Sequence, residues 1–460
     1  MREITVEDIL KVCNGTLVYG NNEIVCENFS KDTRQINIGD IYLGIKGERI
    51  NGSIFYEEAL EKGASGCILQ DVEIKEEIKE KYSDRFIIIV ENAVIALQKI
   101  AEFKRNLYAI PVIGVTGSVG KTSTKDIIAG VLKEKYEVLK TQGNYNNEIG
   151  LPLTILGLKN HNAMVVEMGM SAIGEIDLLS KIAKPNTAII TNIGSSHIGE
   201  LGSRENILKA KLEILNGLDQ NGKLLINNDN DLLYKWNKEQ RLENVITYGI
   251  DTESDIQAYD INMYENESTF KVKIENCVYE VKVPIGGKHF IYNALGAIGI
   301  GLLHNIEMQK IITGIEKFEL TKRRMELINT EDNIKIINDS YNASYESIKA
   351  ALEYMENMTA SRKIAVLGDV LELGDFSKDI HEKIGYEVEK NKIDILITVG
   401  QEAKYIAQKV KELSNKVKTY VCDSNQEAIE IINNVKNEGD IILIKASNGM
   451  KFNEIIEKII

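Results

Sequence analysis

The sequence predicts an α/β protein built from three domains. The length of 460 residues is enough for about three domains. A strand, a glycine-rich turn and a helix follow one another from residue 112, and short apolar runs alternate with helical patterns after residue 320. Such alternation predicts mostly parallel sheets covered by helices. We place a small N-terminal α/β domain at residues 1–108, a central domain at 109–319 and a doubly wound C-terminal domain at 320–460.

The N-terminal domain is predicted from one informative stretch. An apolar strand over residues 41–45 is followed by a helix over residues 53–62 that ends at Gly63. Thr33 and Arg34 lie in the polar loop before that strand. A guanidinium in this place can pair with a phosphate, although a solvated loop arginine is the simpler explanation of the same residues.

The strongest functional motif opens the central domain. A short apolar strand, residues 112–115, leads into a glycine-rich turn and then an apolar-periodic helix. Glycines let successive backbone N–H groups face phosphate oxygens, and the helix N-terminus adds a partial positive charge. An ammonium here can reach the β- and γ-phosphates, and the next hydroxyl can coordinate Mg²⁺. The motif consists of Thr116, Gly117, Ser118, Val119, Gly120, Lys121 and Thr122.

The spacing of this motif differs slightly from the usual one. It reads T-G-x-x-G-K-T, whereas the common phosphate loop reads G-x-x-x-x-G-K. The strand before it and the helix after it form the context in which a phosphate loop occurs. We therefore interpret the central domain as P-loop NTPase-like rather than as carrying a chance glycine-rich turn.

Two polar side chains are predicted at the carboxyl edge of the central sheet. Glu167 ends a buried strand over residues 163–166, and His197 follows a strand over residues 187–193. Because parallel strands end at one edge, Glu167 should lie next to the phosphate loop, where it can hold Mg²⁺. A histidine in this place is a ligand or a structural residue, and the sequence alone leaves both open.

Further polar residues of the central domain have two explanations each. Asn144, Asn146 and Asn147, in the stretch TQGNYNNEIG, can orient a substrate or form a turn. Asn293 opens a helix after a glycine turn, where it can contact a purine edge or serve as a polar helix-entry residue. Lys211 lies on a predicted helix over residues 203–215, and lysines on such a helix usually form a solvated face.

The C-terminal domain is predicted to be Rossmann-like because strands and helices alternate along it. Arg324 precedes its first strand, and Asp339 ends that strand. The predicted strands cover residues 334–338, 363–367, 393–399, 417–421 and 441–444, and the helices cover 344–358, 377–391, 401–413 and 424–436.

Composition limits the class of protein. The net charge of −14 argues against a nucleic-acid partner, because such proteins present a basic face. No apolar run approaches the roughly 18 residues that a transmembrane segment needs, and the N-terminus is not signal-like. The five scattered cysteines contain no C-x-x-C pair, which indicates reduced thiols. We expect a cytoplasmic protein.

The T-G-x-x-G-K-T loop, with Glu167, His197 and Lys211 downstream of it, resembles the ATP-dependent Mur ligases of peptidoglycan synthesis. Matching stretches cover almost the whole chain. They include DTRQINIGDIYLGIKG, VVEMGMSAIGEIDLL, ITNIGSSHIGELGSRENILKAKLEI, GKHFIYNALGAI, INDSYNASYESIKAAL and KIAVLGDVLELGDFSKDIHEKIG.

The resemblance implies roles for particular residues. The central domain would bind ATP and Mg²⁺, with Lys121, Lys211, His197 and Glu167 as catalytic residues. Lys211 matches a family lysine that is carbamylated, which would turn a cation into an oxygen ligand. The metal ligands would be Thr122, Glu167, His197 and Lys211; the nucleotide contacts would include Asn293, Arg324 and Asp339; and the other substrates would contact Thr33, Arg34, Asn144, Asn147 and Asn342.

The same resemblance implies the reaction. A monomeric ligase would join D-Ala-D-Ala to UDP-MurNAc-tripeptide through an acyl phosphate, with the N-terminal domain binding the UDP part. Two positions depart from the family: Tyr345 stands where Y-N-A-S is usually followed by proline, and Asn448 stands where K-G-S-R has arginine. Both lie in the C-terminal domain and bear on the identity of the amino donor.

Three alternatives stay open on the sequence. A related Mur or folylpolyglutamate-type ligase would use another amino donor, and a weakly active paralogue would serve as a binding module. A P-loop switch protein is the third. A GTPase needs N-K-x-D to recognise guanine, and the nearest string, residues 237–240, reads N-K-E-Q.

Overall fold

The structure is a computed structural model that describes residues 3–460. Within this range the strands form three sheets, in which most neighbouring strands are parallel. The predicted α/β class with mostly parallel sheets is therefore confirmed. The domain boundaries near residues 108 and 319 stay a prediction.

The first sheet has the order β1-β5-β4-β3-β2, and only the β1–β5 pair is antiparallel. Helix α1 begins at a capping box, in which Thr5 and Asp8 satisfy each other's backbone N–H groups. The elements are α1 (Val6–Cys13), β1 (Thr16–Tyr19), β2 (Phe29–Ser30), β3 (Ile41–Leu43), α2 (Tyr56–Glu61), β4 (Gly66–Leu69), α3 (Glu76–Lys81), β5 (Phe86–Ile89) and α4 (Ala93–Asn106).

The central sheet has the order β14-β13-β12-β11-β10-β9-β6-β8-β7. Its elements are β6 (Val112–Thr116), α5 (Lys121–Lys133), β7 (Val138–Lys140), α6 (Gly150–Leu156), β8 (Ala163–Glu167), α7 (Glu175–Ala183), β9 (Thr187–Ile190), α8 (Ile198–Leu201), α9 (Arg204–Leu212), β10 (Lys223–Asn227), α10 (Asp231–Gln240), β11 (Val245–Gly249), β12 (Ile256–Met263), β13 (Ser268–Ile274), β14 (Cys277–Val283), α11 (Lys288–Leu303) and α12 (Met308–Glu316). Strands β12, β13 and β14 form an antiparallel extension that the sequence did not predict.

The third sheet has the order β15-β16-β20-β17-β18-β19, with only the β15–β16 pair antiparallel. Its elements are β15 (Glu326–Asn329), β16 (Lys335–Asn338), α13 (Tyr345–Glu356), β17 (Lys363–Gly368), α14 (Ser377–Lys390), β18 (Ile395–Val399), α15 (Lys404–Leu413), β19 (Lys418–Cys422), α16 (Asn425–Val435), β20 (Ile441–Lys445) and α17 (Asn453–Ile459). The predicted strands and helices of this region are confirmed to within a few residues, and β15 and α17 were missed.

The order of the central strands opens a crevice beside β6. From β6 the chain moves to β7 and β8 on one side, and after β8 it crosses to β9 on the other side. In such sheets ligands bind outside the carboxyl ends of the strands, where the connections diverge. Helix α11 lies close to the same strands: a Cβ at Gly296 would come within 2.6 Å of Ile189, and one at Gly299 within 2.5 Å of Leu225.

Among the contacts that join the central and third sheets, two lie outside the cavity described below. Asp126, on α5, accepts hydrogen bonds from the Thr321 backbone (3.0 Å) and hydroxyl (2.8 Å), which fixes the linker between them. Glu265, at the β12–β13 turn, pairs with Lys335 and accepts from the Tyr354 hydroxyl through its carbonyl (2.7 Å).

Across residues 3–460, every helix is too short or too polar to cross a membrane.

Candidate active site

The glycine-rich turn between β6 and α5 requires glycine at two positions. Gly117 and Gly120 have φ values of +146° and +84°, which L side chains rarely adopt. A Cβ at Gly117 would also lie 1.9 Å from the Thr191 hydroxyl. The turn therefore has the conformation that the motif predicted, with its backbone amides at the N-terminus of α5.

The segment after β9 supports this turn from behind. The Asn192 side-chain oxygen accepts from the Val119 N–H at 3.0 Å, and the Val119 carbonyl accepts from the Thr191 hydroxyl at 2.6 Å. The strand was predicted to run to residue 193 and ends instead at Ile190. The Thr191 N–H still donates to the Thr116 carbonyl at the end of β6 (3.0 Å), but the Asn192 carbonyl accepts from the Ser118 N–H of the turn (3.0 Å).

Two lysines near the turn, Lys121 and Lys211, are close enough for their charges to interact. Lys121 Nζ donates to the carbonyl oxygens of Gly117 (2.8 Å) and Ser118 (3.4 Å). Burial lowers the pKa of the Lys121 ammonium, Glu167 opposes this shift, and Arg324 adds to it. Lys211 is only 2% exposed, and burial followed by repulsion from Lys121 lowers its pKa well below the ordinary value. Lys211 is thus not on a solvated face, which the sequence alone favoured.

Glu167 and Thr122 form an oxygen pair next to the turn. The Thr122 hydroxyl donates to Glu167 Oε2 at 3.0 Å, and the Asn146 amide donates to Oε1 at 2.8 Å. Arg324 Nη2 donates to the Thr122 hydroxyl at 3.2 Å. The pair therefore already attracts positive charge, and its hydroxyl and carboxylate are ligands that Mg²⁺ prefers.

His197 lies at the start of α8 with a left-handed backbone, φ +63°. Its Nδ1 is 2.6 Å from a carboxylate oxygen of Glu372, a residue of the third sheet region. The structure thus places His197 at the same cavity as Glu167, but its ring pairs with Glu372, which does not line the cavity. Among residues 3–460, no three His, Cys, Asp or Glu side chains converge as a metal cluster.

The third sheet region contributes a charged wall. Lys445 Nζ pairs with Asp339, and it also donates to the Asn342 carbonyl at 2.9 Å. Burial lowers the pKa of the Lys445 ammonium, and the neighbouring Asp339 opposes that shift. The Arg324 guanidinium lies 4.0 Å from the centre of the Tyr341 ring, a cation–π arrangement.

Asn293 lies deeper in the site, on α11. Its side-chain oxygen accepts from the Thr124 hydroxyl at 3.0 Å. Its Nδ2 is buried and has no hydrogen-bond partner among residues 3–460. A buried unpaired donor is costly, so this amide is suited to an acceptor atom of a ligand such as a purine.

These walls enclose a cavity of about 740 Å³ between the central and third sheets. Of the predicted site residues, those lining it are Ser118, Val119, Gly120, Lys121, Thr122, Asn147, Glu167, His197, Asn293, Arg324, Asp339 and Asn342. Thr116, Gly117 and Lys211 do not line the cavity; Lys211 is buried and interacts with the charge of Lys121.

Three predicted residues lie elsewhere. The Thr33 hydroxyl donates to Glu58 at 3.0 Å, and the exposed Arg34 pairs with Asp32 at 2.7 Å, both in the first sheet region. Asn144 is exposed on the loop before α6.

The lining residues that were not predicted as site residues include His289, Tyr341, Glu346 and Lys445. Lys445 carries a readable signal, because a lysine that ends the buried strand β20 lies at the same kind of edge as Glu167. His289 follows the glycine turn before α11, but only Asn293 was predicted as a site residue in this stretch. The other two have no signal beyond polarity.

Comparisons with known proteins agree over the whole chain. Residues 115–301 match the family profile described as Mur ligase middle domain, and residues 323–448 match Mur ligase, glutamate ligase domain. The chain is 40% identical over 460 residues to the UDP-N-acetylmuramoyl-tripeptide–D-alanyl-D-alanine ligase of Bacillus subtilis, covering 99% of this chain and 98% of that protein.

Solved structures give the same result. The crystal structure of MurF from Acinetobacter baumannii has a TM-score of 0.89 at 26% identity, covering 100% of this chain and 99% of that one. The MurF ligase from Thermotoga maritima in complex with ADP has a TM-score of 0.80 at 29% identity, covering 94% and 97%.

Proposed function

The chain belongs to the Mur ligase family, as its motifs predicted, and from this premise we propose that it joins D-alanyl-D-alanine to UDP-MurNAc-tripeptide. ATP is consumed, and the products are UDP-MurNAc-pentapeptide, ADP and phosphate. The observation that carries the proposal is the cavity in which Lys121 and the Thr122–Glu167 pair face Arg324 and Asp339. The relatives named above support the choice of substrates.

ATP binds with its phosphates on the turn between β6 and α5. The backbone N–H groups there and the N-terminus of α5 favour an anion, and Lys121 neutralises the β- and γ-phosphates. Asn293 offers its unpaired amide to the base. The Thermotoga maritima relative was solved in complex with ADP, which supports nucleotide binding.

The residues present fit Mg²⁺. Thr122 and Glu167 would hold one ion, and His197 with a carbamylated Lys211 would complete the metal set. When bound, the metal neutralises charge on the transferred phosphoryl group. The lowered pKa of Lys211 fits this role, because only a neutral amine can add carbon dioxide.

The reaction needs activation because a carboxylate is a poor electrophile. An oxygen of the tripeptide carboxylate attacks the γ-phosphorus of ATP, and ADP leaves. The neutral amine of D-alanyl-D-alanine then attacks the acyl carbon, the bond from that carbon to the phosphate oxygen breaks, and the leaving phosphate takes up the proton that the amine loses. Lys121 and Arg324 stabilise the charge that develops during the first step, and the enclosing third sheet region keeps water from the acyl phosphate.

The remaining predicted residues bind the two other substrates. Thr33 and Arg34 contact the UDP part, and Asn144, Asn147 and Asn342 contact the peptide parts. The five cysteines are free thiols, which supports a cytoplasmic location. We also propose that the enzyme acts as a monomer.

The test compares phosphate release from UDP-MurNAc-tripeptide and ATP with and without D-alanyl-D-alanine. We expect release that depends on the dipeptide, and on the order of a 10³-fold loss of kcat in Lys121→Ala. Lys133→Ala, on the same helix but exposed, is the matched control. Full activity with another amine in place of D-alanyl-D-alanine would refute the proposed donor, and retained turnover in Lys121→Ala would refute the site.

A further inference from the structure

A short segment, residues 194–199, connects the phosphate-loop turn to the third sheet region. On the central side it contacts Ser118 twice. The Gly194 N–H donates to the Ser118 hydroxyl at 2.9 Å, and the Ser196 hydroxyl donates to the Ser118 carbonyl at 3.4 Å. Ser118 lies between the two glycines of the turn, so the segment is fastened to the loop that holds the phosphates.

On the other side, the segment is held by Glu346 of α13. Glu346 Oε1 accepts from the Ser195 N–H at 2.7 Å, and Oε2 accepts from the Ser195 hydroxyl at 3.1 Å. Both carboxylate oxygens thus bond to one residue of the central region. Glu346 lies in the first turn of α13, whose partial positive end stabilises a carboxylate.

The fit around this contact is close. A Cβ at Gly194 would lie 2.6 Å from the Glu346 carboxyl carbon. A second contact lies further along the segment, where the Gly199 N–H donates to the Glu372 carbonyl at 3.1 Å. A Cβ at Gly199 would lie 2.6 Å from the Gly374 nitrogen. Only a segment with glycine at both positions can approach the third sheet region this closely.

We infer that Glu346 is a positioning residue: by gripping Ser195 it ties the third sheet region to the phosphate-loop turn, so that nucleotide binding and enclosure of the site favour each other. This inference rests on the proposed function only in taking the turn as a nucleotide site. Glu346 acts through the segment, which carries His197 to the cavity, and not on the reacting atoms.

The coupling has a measurable consequence. If the contact between Glu346 and Ser195 stabilises the enclosed arrangement, and ADP binds that arrangement better, then loss of the contact weakens ADP binding. The affinity falls in proportion to the fraction of protein that remains enclosed. Glu346→Ala removes two hydrogen bonds to a charged group. We therefore expect ADP to bind at least about tenfold more weakly to this variant.

The experiment measures ADP binding by calorimetry and the radius of gyration by X-ray scattering, with and without ADP and Mg²⁺. The variants are Glu346→Ala, Glu346→Gln and Ser195→Ala, and the control is Glu353→Ala, a partly exposed residue on the same helix. Ser195→Ala keeps the backbone bond, so its effect should be smaller and in the same direction. Glu346→Gln keeps one acceptor and should recover part of the loss.

The outcomes are distinct. The inference is supported if Glu346→Ala binds ADP more weakly than wild type and has a larger radius of gyration in the presence of ADP. Glu353→Ala should behave like wild type in both measurements. The inference is overturned if Glu346→Ala binds ADP within twofold of wild type and has the wild-type radius of gyration within error. The proposed function would then remain intact. Failure of the wild-type protein to bind ADP overturns both. If Glu346→Ala does not fold, Ser195→Ala decides. A folded Ser195→Ala variant with wild-type ADP affinity would count against the contact between Glu346 and Ser195.

Discussion

Arg324 donates a hydrogen bond to the hydroxyl of Thr122, although the two residues lie on opposite walls of the cavity. Arg324 follows the linker that leads to the third sheet, whereas Thr122 lies in the first turn of α5. The residues on either side of Arg324, Arg323 and Met325, both have positive φ, a costly conformation for side chains of this size. The chain is thus bent sharply where it delivers this guanidinium to the phosphate-loop helix.

Replacing Arg324 with lysine should reduce kcat/KM for ATP by about tenfold or more. Lysine keeps the charge but loses the planar group that stacks on Tyr341 while bonding to Thr122. Steady-state ADP formation measures the effect. Arg241→Lys, at an exposed position, is the control. A change of less than twofold in Arg324→Lys would mean that only its charge matters.

Glu167→Gln should raise the Mg²⁺ concentration needed for half-maximal activity by about 10- to 100-fold. The amide keeps the size of the side chain but removes the negative charge beside Thr122. A titration of ADP formation with Mg²⁺ measures the shift, and Glu137→Gln at the surface is the control. An unaltered Mg²⁺ requirement would exclude Glu167 as a metal ligand.

Lys445→Met should destabilise the protein by about 3–5 kcal/mol, because it leaves the Asp339 carboxylate buried without its cation. Lys445 is 1% exposed and Asp339 6% exposed. Urea unfolding measures the loss. The double variant Lys445→Met with Asp339→Asn should recover much of it, since no unpaired charge remains. Additive losses in the double variant would show that the pair is not coupled.

Stability should fall between about pH 6.5 and pH 4 because of His289. Burial lowers the pKa of its ring from 6.5 to about 4. Below pH 6.5 the unfolded chain therefore binds a proton that the folded chain does not, so acidification favours unfolding until the folded pKa is reached. His289→Gln should flatten a plot of melting temperature against pH in this window. An unchanged slope would show that the ring is protonated in the folded protein.

The sequence predicted those parts of the site that are encoded within one short stretch. The turn between β6 and α5 needs only a strand, two glycines with positive φ and a helix, all of which are contiguous. Glu167 and Asp339 could be found because each ends a buried strand, and the rule for parallel sheets brings such ends to one edge. The strands and helices of the third sheet region were predicted for the same local reason.

The parts that were missed depend on residues far apart in the chain. Nothing near Glu346 indicates that its carboxylate bonds to Ser195, because this contact exists only after two sheets have packed together. The end of β9 was predicted too late because the backbone of Asn192 bonds to Ser118 of the turn, a contact that no local pattern indicates. The strands β12, β13 and β14 alternate polar and apolar residues, and this period-two pattern was overlooked next to the stronger helical patterns.

The bonds from Lys121 to the carbonyls of Gly117 and Ser118 have a consequence for the catalytic cycle. A phosphate must compete with these carbonyls for the ammonium, and the carbonyls are there to receive the ammonium when the product departs. The contribution of Lys121 to nucleotide affinity is therefore the difference between its contacts with the phosphates and its contacts with these carbonyls. Because the two carbonyls compete for Lys121, they favour rapid release of ADP over long retention. This suits a protein that must exchange its nucleotide in every catalytic cycle.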